Sequence, residues 1–166
     1  MTDSAQHLFD LAQEKIPIPL RAGVEHYWHG LREQFMHLPR HDNEAWLPVL
    51  PRVFAASDFV ARLCVQHSEV LQELLKSGDL ARAYPAGDLA RRVVRELANV
   101  ADEAALKTRL RVMRRREMLR IAWRDLAGWA DLNETLAALS EFADACVHEA
   151  LEKLHAWACA KYGEPT

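Results

Sequence analysis

The stretch Leu110–Leu126, LRVMRRREMLRIAWRDL, constrains this chain more than any other. Projected at about 100° per residue, Leu106, Leu110, Met113 and Ile121 fall on one apolar stripe. Val112, Leu119, Trp123 and Leu126 fall on a second, nearly opposite stripe. A helix with two apolar stripes must be covered on both sides, so this one is expected to be central, with Leu110, Ile121 and Trp123 in the core. Arg109, Arg116 and Arg120 share the gap between the stripes, and Arg111, Arg114 and Arg115 spread over the other faces. Two roles suit the three gap arginines. They can pair with acidic neighbours and cover apolar surface with their stems. Or they can act as phosphate or partner contacts, on a nucleotide, an RNA or a nucleotidylated protein. A formal net charge of -3 favours the first role.

The rest of the chain also reads as helix. Glycine is scarce, at six residues, and Ala, Leu, Arg and Glu, all helix formers, dominate. A first helix is predicted over about 4–15, stopped by Pro17 and Pro19, and a second from Pro19 to before Pro39. Asp42 can cap a short helix perturbed by Pro48 and Pro51, Ser57 the next, and Asp88 another after a loop that starts at Tyr84. Val70–Leu75 form a further short helix. Asp102 opens a long helix that ends near Gly128. Asp131 and Glu134 have capping-box spacing and open the last helix, which ends at Gly163 with Pro165 beyond. The predicted fold is all-α, an irregular bundle of about five to seven helices, the last two long, in a single module over 1–166.

Composition excludes several classes. The chain has 166 residues, half of them hydrophobic and 27% charged, which is ordinary globular usage. The balance of charge is not that of a nucleic-acid coat or an anionic-membrane binder. Cys64, Cys146 and Cys159 are odd in number and widely spaced, which suits a reducing compartment. The N-terminal MTDSAQHLFDLAQEK lacks the form of a secretory signal, and no run is long enough to span a membrane. A cytoplasmic location is the expectation.

The last helix carries Glu141, His148, Glu152 and His155 within one angular strip, and Glu152 with His155 has the ExxH spacing of di-iron carboxylate sites. The other side carries Leu139, Phe142, Val147, Leu151, Leu154 and Trp157, so the strip is expected to face water and to hold no metal. His26 and His29 lie one turn apart, again with no evident third ligand. The chain contains no GxGxxG, GxxxxGK[ST] or GxSxG. No catalytic residue and no bound cofactor are predicted.

The core RRREMLRIAWRDL resembles a characteristic segment of the glutamine synthetase adenylyltransferase/adenylyl-removing enzyme family. LSEFADACVHEALEKLHAWACAKYGEP, residues 139–165, is similar to the long helix and YGxP exit that follow it there. SDFV at 57–60 and VLQEL at 70–74 extend the likeness upstream, while Ser68 stands where the family favours proline. The resemblance covers 54–165 well and 1–53 weakly. It implies a large bifunctional enzyme with two nucleotidyltransferase units. One adds AMP from ATP to a tyrosine of glutamine synthetase and the other removes it by phosphorolysis, under control of the signal protein PII and glutamine. The family's G-x-G-K-L-G-G loop and magnesium-binding S-D-x-D-L element have no match here.

The resemblance therefore implies the helical lead-in of the AMP-removing unit, an excised or truncated piece ending about where the strand into the first such loop begins. ATP and magnesium belong to the parent enzyme and not to this piece. The implied partners are glutamine synthetase, PII and the downstream nucleotidyltransferase domain, with no nucleic acid and no membrane. The alternative is a free-standing helical interaction or regulatory module.

Overall fold

Eight α-helices account for nearly all of the regular structure in a computed structural model that describes residues 2–35 and 44–164. They are α1 (Thr2–Gln13), α2 (Ile18–Phe35), α3 (Leu50–Ala56), α4 (Asp58–Gln66), α5 (Ser68–Lys76), α6 (Asp88–Leu97), α7 (Glu103–Leu126) and α8 (Leu132–Tyr162). A 3-10 turn, Glu44–Trp46, precedes α3. Among the described residues there is no strand. The all-α prediction with two long final helices is borne out. Eight helices are found against about five to seven expected, and the three short ones between 50 and 76 fall on segments each predicted as a helix. The predicted Asp42 cap, the Pro39 stop and Pro165 lie outside the described residues.

The chain divides into two compact units, Met1–Ala83 with Met118–Asp131, and Tyr84–Glu117 with Leu132–Thr166. In the first unit, α1 to α5 and the second half of α7 surround one apolar cluster. Phe9 and Trp28 stack at 4.7 Å, joining α1 to α2. Trp123 of α7 meets Phe54 of α3 edge-on at 6.4 Å. Offset and edge-on aromatic pairs of this kind add to the area they bury. Gly30 lets α2 approach α4 closely, since a Cβ there would sit 3.1 Å from Val65 Cγ1.

Local signals set the boundaries. Pro51 lies in the first turn of α3, where its missing amide costs nothing. Ser57 caps α4, its hydroxyl accepting from the Val60 amide at 3.3 Å. Ser68 is the first residue of α5, a position that also suits proline. Asp102 caps α7 through the Ala105 amide at 2.8 Å. Gly128, at φ +73°, ends that helix while the Trp129 amide turns back to the Arg124 carbonyl at 2.8 Å.

In the second unit, Leu89, Val93 and Leu97 line one side of α6 at helical spacing and are buried. α6 packs on α8, whose Phe142 and Ala145 are buried, and α7 adds buried Leu106 and Met113.

Candidate functional site

The arginines of α7 fall into two sets that the sequence pattern did not separate. Arg116 is nearly covered, pairs with the adjacent Glu117 and reaches the Tyr84 hydroxyl at 3.4 Å. The Tyr84 ring also lies under the Arg92 guanidinium, 5.3 Å away. Arg120 is buried, at 2% exposure, and donates to the Arg82 carbonyl at 3.4 Å. Arg124, which the stripe analysis left out, is equally buried and donates to the carbonyls of Ala81 and Trp129. Arg120 and Arg124 thus satisfy backbone acceptors of the α5–α6 loop and of the turn after α7. Buried carbonyls need such partners, and a guanidinium can serve several at once. Arg109 differs: it is half exposed and pairs with Glu96 of α6. Of the three candidate contacts, two are committed inside the protein and one is held at its surface by an acid.

Arg111, Arg114 and Arg115 form the other set. All three are exposed, and none makes a hydrogen bond or ion pair with any described residue. The two-stripe expectation holds only in part here. Ile121 and Trp123 are buried, while Leu110 is half-buried and Val112 is 42% exposed. The first half of α7 is covered along one line only, through Leu106 and Met113.

Glu141 corrects the expectation for the last helix. It is not a solvated member of a histidine strip. Its carboxylate accepts the Gly87 amide at 3.1 Å and the Ala90 amide at 3.0 Å, and so caps α6 from 54 residues away. Asp88, predicted as that cap, is instead the first residue of α6 and pairs with Arg91. His148, Glu152 and His155 are exposed.

The apolar side of α8 is also not where periodicity put it. Phe142 is buried and Leu139 and Trp157 are half-buried, but Val147, Leu151 and Leu154 are exposed. With Leu132 and Leu136 they make an outward apolar stripe along most of the helix. The buried residues of α8, which packs on α6, are Phe142 and Ala145.

Nucleophilic chemistry finds little support. Burial pushes the Cys64 thiol far up, and burial together with the nearby Glu117 charge raises Cys146 to about 11. His26 and His29 line a shallow cleft between α2 and α4 with Glu33 and Arg62, and Arg62 is already paired with Asp58. Among the described residues no three His, Cys, Asp or Glu side chains are grouped to hold a metal ion. No helix among them is long and apolar enough to cross a membrane.

Comparison with known proteins agrees with the sequence likeness. Residues 47–166 match the family model described as glutamate-ammonia ligase adenylyltransferase. The chain is 44% identical over 120 residues to a bifunctional glutamine synthetase adenylyltransferase/adenylyl-removing enzyme of Thioalkalivibrio sulfidiphilus, covering 72% of this chain and 12% of that protein. A Pseudomonas aeruginosa protein of the same description is 44% identical over 126 residues, 74% of this chain and 13% of its own length. One from Shewanella loihica is 30% identical over 158 residues, 94% of this chain and 16% of its own length, and so reaches into the first fifty residues. The chain spans about an eighth of the length of the curated relatives it matches. By the match over 47–166, this chain belongs to the glutamate-ammonia ligase adenylyltransferase family.

Proposed function

We propose that this chain is a non-catalytic helical part of the deadenylylating unit of a bifunctional glutamine synthetase adenylyltransferase/adenylyl-removing enzyme. Its role is to support the catalytic fold and help position AMP-bearing glutamine synthetase. The observation that carries this reading is the outward stripe of α8. Leu132 and Val147 are each 68% exposed, and Leu136, Leu151 and Leu154 continue the line. Contiguous exposed apolar surface marks an interaction site. The relatives have roughly five further lengths of this chain with which to cover it. The downstream nucleotidyltransferase domain is the occupant this reading assigns. ATP and magnesium then serve the catalytic units of the whole enzyme, PII its regulation, and the location is cytoplasmic. None of this chain's residues is assigned to those ligands.

Two measurements test the reading. The 166-residue chain, given AMP-bearing or unmodified glutamine synthetase with phosphate, ATP and magnesium, should neither remove nor add AMP. Turnover that survives repurification would refute the non-catalytic role. Leu136→Glu with Leu154→Glu should leave the melting of the isolated chain almost unchanged and destabilise the longer enzyme. Equal melting of both longer forms would remove α8 as the packing face.

A further inference from the structure

We propose that the exposed arginine face of α7 is a docking surface for an acidic patch on a protein partner, which on the reading above is glutamine synthetase. The inference rests on that reading for the partner's identity and on the geometry of α7 for the site.

Arg111, Arg114 and Arg115 stand at i, i+3 and i+4, and so share one face of the helix, within an arc of about 100°, rather than spreading over several as first expected. Lys107 lies one turn earlier on the same face, giving a basic surface about 12 Å long at 1.5 Å rise per residue. Lys107 has an internal partner in Glu103. The three arginines have none among the described residues, in a chain whose acids outnumber its lysines and arginines by 24 to 21. Elsewhere Arg62, Arg82, Arg91 and Arg109 find an acid among the described residues while the exposed Arg52 and Arg95 do not, so what sets the α7 trio apart is three such arginines on one face.

Like charges spaced by one turn repel and weaken a helix. These sit in the middle of α7, away from the C-terminal end where the helix dipole would favour cations. The cluster therefore gives the fold no hydrogen bond or ion pair among the described residues. It does have what an interface needs. The guanidinium fork matches carboxylates two bonds at a time, and arginine is enriched in protein interfaces. Val112, 42% exposed, adds an apolar spot beside it. The arginines stand on a regular helix backed within its own unit by buried Leu106 and Met113. Immobilising surface side chains on such a helix costs less than ordering a loop. With a net charge of -3 and a basic face only four side chains long, the molecule lacks the extended positive field that a nucleic acid calls for, and the face suits a local acidic patch on a protein.

The test is binding of the 166-residue chain to purified glutamine synthetase, unmodified and AMP-bearing, at low and raised salt. Charge reversal of all three arginines (R111E/R114E/R115E) should weaken binding about tenfold or more and remove most of its salt dependence. The milder R111Q/R114Q/R115Q variant should weaken it in the same direction and melt like the wild type, which separates docking from folding. R111K/R114K/R115K, which keeps the charge and loses the fork, should retain part of the affinity. Wild-type binding that every variant preserves would overturn the docking face and leave the proposed function standing. A wild-type chain that does not bind glutamine synthetase at all would overturn both. Tighter binding to duplex DNA than to glutamine synthetase would overturn the choice of a protein partner.

Discussion

The two halves of α7 are alike in composition and opposite in surroundings. Residues 103–117 belong to one compact unit and 118–126 to the other. In the second half Leu119, Arg120, Ile121, Trp123 and Arg124 are all buried, and Asp125 alone of residues 118–126 is exposed, so most of the helix circumference is covered. In the first half only Leu106, Met113 and Glu117 are buried, and four of the five arginines from Arg109 to Arg116 are exposed. Arginine therefore has no fixed meaning along this helix. Where apolar neighbours close over it, its fork becomes an internal tie to backbone carbonyls. Where they do not, it remains a charge offered to solvent or to a partner.

The strongest way to break that contrast is to hollow out the covered half. Trp123 is fully buried and touches Phe54 and Trp46 edge-on or tilted. Trp123→Ala should cost about 3–5 kcal/mol, as large-to-small changes in cores do. Leu110→Ala, at a half-buried position in the other half, should cost about 1 kcal/mol, the loss of a few partly covered methylenes. Urea unfolding of the two variants measures the difference, and equal losses would mean that both halves are covered alike.

The next test concerns the buried arginines. Arg124→Ala removes donors from the carbonyls of Ala81 and Trp129 and leaves a cavity where the stem lay. The expected loss is about 2–3 kcal/mol, set by acceptors left without partners in a dry site. Arg124→Lys should recover little, because one ammonium does not reproduce the fork. Full recovery by lysine would make charge, rather than the two directed bonds, the relevant property.

Much of this was legible in the residues. Ser57, Asp102 and Gly128 mark helix ends by local chemistry, and the structure uses each of them that way. The burial of Ile121 and Trp123 followed from spacing alone. Two things were not legible, for one reason. Periodicity says that a face is apolar and is silent about what covers it. Val112 and the Val147–Leu151–Leu154 side of α8 therefore looked like core and lie exposed. Glu141 looked like a surface acid because its targets, Gly87 and Ala90, lie more than fifty positions away.

That distant cap sharpens the comparison from the side of the less covered unit. α6 begins at Asp88, and Gly87 at its N-cap position supplies no side-chain cap. Glu141 supplies two acceptors and a negative charge to its first turn, where both are favourable. Glu141→Ala should lower stability by about 1–2 kcal/mol, the upper range for a lost cap. Glu141→Gln should lose less, since one oxygen still accepts. Hydrogen exchange should locate the change in the first turn of α6. Faster exchange spread evenly over the molecule would instead mean that the contact supports the whole fold.

The smallest expected effect belongs to the exposed arginines, and its smallness is the point. Arg111, Arg114 and Arg115 touch no acid among the described residues, so removing them breaks no internal pair. It also relieves repulsion between cations one turn apart, worth a few tenths of a kcal/mol for each such pair. Alanine is a better helix former than arginine by a similar small margin. Both effects have the same sign. The triple variant R111A/R114A/R115A should therefore melt at the wild-type temperature or slightly above it, within about 0.5 kcal/mol. Removing just two arginines from the covered half, Arg120 and Arg124, should unfold a large share of the molecule. Thermal melts of the two variants side by side decide the matter. A triple variant that loses more than about 1 kcal/mol would place these arginines among the groups that hold the fold, and the division of α7 into a structural half and an offered half would fall.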